Sequence, residues 1–176
     1  MNYTIPVIFS MALFTLVSCG EQETSVTSNA YFNIEGFFKN EAARLQKSNA
    51  ALTKTASQNQ HSETVNLKIA NWANELELFS ESAINKPAWK DSYKVKQSKN
   101  TTTYTSTDDK LRTQKINVEK SIDGKVKHIQ IFNSSKNSLY SSLEELDYFP
   151  DSLYSIKKKQ DVLFLGTNNY FISGKF

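Results

Sequence analysis

Three side chains offer this chain nucleophilic or acid–base chemistry directly: its single cysteine, Cys19, and its two histidines, His61 and His128. A thiolate attacks or ligates, an imidazole moves protons near neutral pH, and each needs a partner within hydrogen-bonding reach. His61 lies in the polar stretch Gln58 to Glu63, with no cysteine, second histidine or paired acids nearby in sequence, and reads as a surface residue. Asp108-Asp109 is an adjacent acidic pair. Neighbouring strand residues point to opposite faces, so a turn with two solvated acids is the better reading. The chain has no Gly-rich phosphate loop, no His-Glu-x-x-His, no metal-spaced Cys or His set and no Gly-x-Ser-x-Gly. The expectation is a protein that is not an enzyme, with no catalytic residue, no metal site and no cofactor.

Cys19 closes the run Leu16-Val17-Ser18-Cys19, at the end of an apolar stretch that begins at Ile5. That stretch has the length of a secretory hydrophobic region and is short of the roughly 20 residues of a membrane span. The four residues resemble the lipobox of bacterial lipoproteins. The resemblance implies that residues 1–18 are a signal peptide and that Cys19 is lipidated and becomes the first residue of the mature chain. Its acyl chains would then hold the protein on a membrane of the bacterial cell envelope, expected to be the outer one. Residues 19–30 are rich in Ser, Thr and Glu and lack a hydrophobic face, the composition of a flexible tether. With Cys19 used for the anchor, no disulfide or reactive thiol remains, and a single domain over residues 31–176 must be held by packing.

The net charge of +3 compels no nucleic-acid partner. Between Lys90 and Lys136 there are eleven Lys or Arg against five Asp or Glu. This basic excess is read as solvated lysines on an antiparallel sheet.

The elements that must position these groups begin at Asn33, an N-cap candidate, with Phe32 and Phe37 at the two positions of a hydrophobic staple. Ile34, Phe37, Phe38, Ala42 and Leu45 form one helical stripe. A hairpin is expected from Leu52–Ser57 and Thr64–Ile69 around the polar stretch that holds His61. A second helix is expected from about Trp72 to Ile84, striped by Trp72, Leu76, Phe79 and Ala83 and stopped by Asn85 and Pro87.

From Tyr93 onward the apolar period becomes two. Strands are expected at Ser92–Gln97 and Thr101–Ser106. A further hairpin turns at Asp123-Gly124 as a type I′ turn, which needs positive φ at both centres. Its register sets Ile116 opposite Ile131, Val118 opposite Ile129 and Glu119 opposite His128. That last pair could act as an acid–base couple, although on a solvated face it is usually a weak contact. Leu139–Phe149 reads as a strand or a short helix, Lys157-Lys158-Lys159 as an exposed strand end or loop, and Val162–Leu165 as a strand buried on both sides. Gly166–Asn169 would turn that strand back, pairing Leu163 with Ile172 and Leu165 with Tyr170.

The fold class expected is α+β: two helices packed on a curved, meander-rich antiparallel sheet of about seven to nine strands, in outline like a half-barrel. The segments Asn85–Tyr93 and Pro150–Tyr154 resemble uncharacterised lipoproteins of the Bacteroidota, a likeness that brings no assigned activity. The functional expectation is a binding module for a lipid or other apolar ligand. The alternative is an envelope scaffold or protein-interaction lipoprotein, with Trp89, Lys90 and Tyr93 as its candidate surface. Replacing Cys19 with Ala should abolish incorporation of labelled acyl chains and release the protein from the membrane fraction. A mutant that stays membrane-bound and normally processed would refute the anchor.

Overall fold

Asn33 opens the first helix as its side chain accepts the Gly36 N–H at 2.9 Å, and α1 runs Ile34–Ser48. The computed structural model describes residues 31–49 and 51–176, so Cys19 and the expected signal and tether lie outside the described residues. Phe32 and Phe37 meet with ring centroids 5.8 Å apart, as a hydrophobic staple requires. Ile34, Phe38, Ala42 and Leu45 are buried along one face, and Asn49 ends the helix in the left-handed region at φ 49°.

The expected first hairpin follows as β1 (Ala51–Gln58) and β2 (His61–Lys68). The second helix differs from expectation: it breaks into α2 (Trp72–Glu75) and α3 (Glu77–Ser80), and stops well before Asn85. The break falls at Leu76, where the Phe79 N–H bonds the Leu76 carbonyl three residues back, and beyond it the Ser80 and Ser82 hydroxyls add bonds to the carbonyls of Leu76, Glu77 and Leu78 as the segment ends. The apolar positions are nonetheless satisfied, with Trp72, Leu76, Phe79 and Ile84 all buried. A 3₁₀ turn at Pro87–Trp89 leads into the sheet strands.

Seven strands then run as a meander: β3 (Tyr93–Ser98), β4 (Thr101–Ser106), β5 (Thr113–Lys120), β6 (Val126–Lys136), β7 (Tyr140–Phe149), β8 (Leu153–Val162) and β9 (Gly166–Lys175). β1 pairs with β9, giving one open antiparallel sheet in the order β2-β1-β9-β8-β7-β6-β5-β4-β3. Ile116 opposes Ile131, Val118 opposes Ile129 and Glu119 opposes His128, as the alternation predicts. The turn itself is not type I′. Of its two central residues only Gly124 takes positive φ (82°), and its N–H bonds Ser121 O at 2.9 Å. A β-bulge between Glu119 and Lys120 takes up the longer loop and restores the core register.

The largest corrections fall on the last third. Leu139–Phe149 resolves as a strand, β7, that begins at Tyr140. The lysine run lies inside β8, because Glu144 opposes Lys158 and Glu145 opposes Lys157, with ion-pair distances of 3.2 and 3.5 Å. Pairing with β7 and β9 carries β8 on to Val162 and leaves Leu163-Phe164-Leu165 as the tip of the next hairpin, exposed rather than buried on both sides. The paired residues are therefore Ile156 with Ile172 and Lys158 with Tyr170, not Leu163 with Ile172 and Leu165 with Tyr170.

One sheet face meets the helical side chains. Phe38 packs at 5.0 Å against both Phe79 and Tyr148, and Phe79 reaches Tyr154 at 6.2 Å. Tyr148 Oη donates to Glu41 at 2.6 Å and Tyr154 Oη donates to Glu75. Tyr154 lies over Gly174, where a Cβ would come within 2.6 Å of the ring Cζ, so only glycine leaves room for the ring. Burial, followed by the hydrogen-bonded carboxylates, raises the phenols of Tyr148 and Tyr154. Burial chiefly pushes Tyr93 up to about 12.

These phenols stay protonated in the folded state at a pH where the unfolded chain, with tyrosines near pKa 10, has begun to release them. Their stabilisation is complete below pH 10 and is lost as pH rises, at about 1.4 kcal/mol per pH unit for each phenol retained. Urea unfolding at pH 8, 10 and 11 should show a steep loss above pH 10, and Tyr148→Phe should flatten it. An identical slope in that variant would exclude the mechanism.

Candidate functional site

Antiparallel pairing sets residues from four strands in rows on the face away from the helices. One row reads Phe132, Glu145, Lys157, Phe171 across β6 to β9; the next reads Ser134, Leu143, Lys159, Asn169. Together they line a groove of about 650 Å³. Its apolar surface comes from Phe132, Leu143 and Phe171, of which Leu143 is 58% exposed. Cations rim it. Lys115 sits 5.5 Å from the Phe132 ring centroid, Lys157 is held 3.5 Å from Glu145, and Lys159 has no ion pair among the described residues. An apolar floor with unneutralised ammonium groups at its edge suits an amphiphile with an anionic head.

The floor is kept open by a polar ladder beside it. Thr103 Oγ1 donates to Asn117, Asn117 Nδ2 to Gln130 and Gln130 Nε2 to Glu145, at 2.9, 3.1 and 3.1 Å. These side chains satisfy one another along the sheet, and Glu145 is thereby fixed between Gln130 and Lys157. On the opposite face Glu144 is buried and gathers Arg112 at 2.9 Å, Lys158 at 3.2 Å and Asn133 at 3.3 Å. Asn133 also donates to Ser82 at 2.9 Å, which ties the end of the helical segment to β6. Lys158 is thus spent on an internal pair, while Lys157 and Lys159 face the groove.

The residues singled out in the sequence do not assemble there. Trp89 is half-buried against the core and Lys90 is exposed. Tyr93 is buried, with Oη donating to Thr113 O at 2.8 Å, so the three do not form one exposed surface. His61 is exposed at the start of β2. Asp108 and Asp109 are exposed, and Asp108 Oδ1 accepts the Lys110 N–H at 2.9 Å in a local turn. His128 stands opposite Glu119 yet bonds Asp147, Nε2 to Oδ1 at 2.8 Å, and stacks on Phe149 at 4.1 Å. Both contacts are with β7, whereas Glu119 lies across on β5. Cys19 lies outside the described residues.

The groove residues were missed, although a signal existed. In Ile131-Phe132 and Tyr170-Phe171-Ile172, apolar residues occupy consecutive strand positions, so both faces carry apolar surface. Among the described residues, no three His, Cys, Asp or Glu side chains converge to hold a metal. No helix among them is long and apolar enough to cross a membrane. No family model matches the chain, and no curated protein or solved structure matches it either, so no enzymatic family is indicated.

Glu144→Ala strips a buried acceptor from Asn133 and both cations, and should destabilise the fold by about 2 kcal/mol. Glu144→Gln retains an acceptor for Asn133 and should recover part of that loss. Chemical denaturation of the two variants measures both values; equal stability of Ala and wild type would contradict the arrangement.

Proposed function

We propose that this chain is a lipid-anchored protein of the bacterial cell envelope, held through Cys19, whose groove binds a single-chain amphiphile with an anionic head. The observation that carries the reading is the combination of Phe132, Leu143 and Phe171 on the groove surface with Lys157 and Lys159 lining it and Lys115 beside the Phe132 ring. The volume of about 650 Å³ lies within the usual range for small-molecule sites. An open antiparallel sheet of nine strands twists and coils, and the order of helix, hairpin, helical segment and meander, which several folds share, resembles in outline that of half-barrel carriers. That likeness is one of fold outline, so the ligand is argued from the groove itself.

The groove lies on a different face from the one where a half-barrel would hold cargo beneath its helices. Here Phe38, Phe79, Tyr148 and Tyr154 occupy the space between helices and sheet. An acyl chain in the outer groove would cover Leu143 and Phe171, and its head group would meet Lys159.

Titration of the full chain with a fluorescent fatty acid tests this. Saturable binding is expected, weakened about tenfold by Phe171→Ala and by Leu143→Glu, and unchanged by Ser155→Ala, a substitution on the same face outside the groove. Lys159→Glu should weaken the fatty acid but not the corresponding alcohol. No saturable binding, or equal affinities in all variants, would leave the scaffold alternative in its place.

A further inference from the structure

Two neighbouring hairpin tips carry the most exposed apolar cluster among the described residues. The tip between β8 and β9 is Leu163-Phe164-Leu165, with exposures of 54%, 97% and 79%. The tip between β6 and β7 presents Leu139 at 65%, followed by Tyr140 at 38%. The two are joined, because the Leu163 N–H donates to Leu139 O at 2.9 Å. Phe164 takes φ 68°, a left-handed conformation that a bulky residue rarely adopts. Elsewhere the corresponding positions hold Asn59, Lys99, Gly124 and Asp151, which suit water.

We infer that these paired tips are a wedge that inserts into the interfacial region of a lipid bilayer. A protein partner is the poorer fit, because a standard interface takes roughly 20–30 residues a side and the wedge offers five on two turns. A bilayer needs no complementary shape and accepts leucine, phenylalanine and tyrosine at its boundary. Charge agrees. Lys136 and Lys159 are exposed on the strands just behind the tips, and neither has an ion pair among the described residues, whereas Lys157 and Lys158 do; the one acid beside them, Asp161, accepts the Thr167 hydroxyl at 3.1 Å, and the balance stays positive. Ammonium groups at that depth meet lipid phosphates once the tips are buried.

The wedge also lies next to the groove. Leu143 and Lys159 oppose each other on β7 and β8 and line the groove at the side nearer the tips. Insertion would bring the groove to the bilayer surface, from which an amphiphile could enter sideways. The wedge does not depend on that use, since a chain with an empty groove would still insert its tips.

The opposite end of β6 provides an internal control. Ile122 is 99% exposed in the turn between β5 and β6, roughly 35 Å away along the strand. In the full chain carrying Cys19→Ala, an environment-sensitive fluorophore is attached at Leu139→Cys or, separately, at Ile122→Cys. The probe surface is phosphatidylethanolamine–phosphatidylglycerol vesicles with quencher-bearing acyl chains. The label at 139 should shift to the blue and be quenched several-fold more than the label at 122. Phe164→Ser with Leu165→Ser should abolish that difference while fatty-acid binding in the groove is retained, which separates a failed wedge from a failed groove. Equal quenching at both positions, or a blue shift that follows protein concentration without lipid, would overturn the inference.

Discussion

Two tyrosines rising from adjacent strands hold the helical segment in place. Tyr148 on β7 and Tyr154 on β8 are directly opposed, and each donates its phenol to a glutamate on a helix, Glu41 on α1 and Glu75 on α2. Each glutamate is neutralised in turn. Glu41 pairs with Arg44, which reaches Asp151 in the turn between β7 and β8, and Glu75 pairs with Lys54 on β1. Burial works to raise the Glu41 carboxyl, but the Arg44 and Tyr148 hydrogen bonds outweigh it and hold the carboxyl below its ordinary range. A half-buried carboxylate in that condition is anchored to its partners, and the helices take their position from it. The absent side chain of Gly174 is part of the same device, since it gives the Tyr154 ring its place.

This constraint decides where a ligand can go. With aromatic rings filling the interval between helices and sheet, a binding site must lie on the other face or at an edge. β3 at one edge carries Lys94 and Lys96, charges that discourage strand addition. The far face of β6 to β9 is different. Its hydrogen-bonded ladder ends at Glu145, and beyond that point Leu143 and Phe171 leave apolar surface uncovered. Apolar side chains lie on both sides of these strands, but helices cover only one.

The sequence was legible where a local signal and a tertiary one agreed. Asn33 capped α1, and the apolar pairs of β5 and β6 matched, because caps and alternation are short-range physics and the core faces one way. The Asp123-Gly124 turn shows the limit: the expected register formed through a different turn and a compensating bulge, since core pairing outweighs loop geometry. Val162–Leu165 was misread because a short apolar run has no period to separate a buried strand from an exposed tip. The information that decides it is the pairing of β8 with β7 and β9 as far as Val162, which leaves residues 163–165 for the turn. Consecutive apolar positions mark both faces of β6 and β9 as apolar, but the groove's place was not legible, as Phe132, Leu143 and Phe171 converge only once three hairpins are in register.

The register of β8 connects the core to the exposed hairpin tip. Sliding β8 by one residue against β7 could leave both glutamates opposite lysines of the run 157–159, so charge matching alone does not set the register, but the slide would exchange the strand's two faces. Tyr154 would then leave the helices, and Lys159 would leave the groove. Register on β8 therefore fixes the interior tyrosine, the groove lysine and the hairpin tip together. Phe164 can sit strained at that tip because the strands behind it are overdetermined by ten pairs on each side. A short tip framed by paired strands has less ordering entropy to lose on entering a lipid surface than a long free loop.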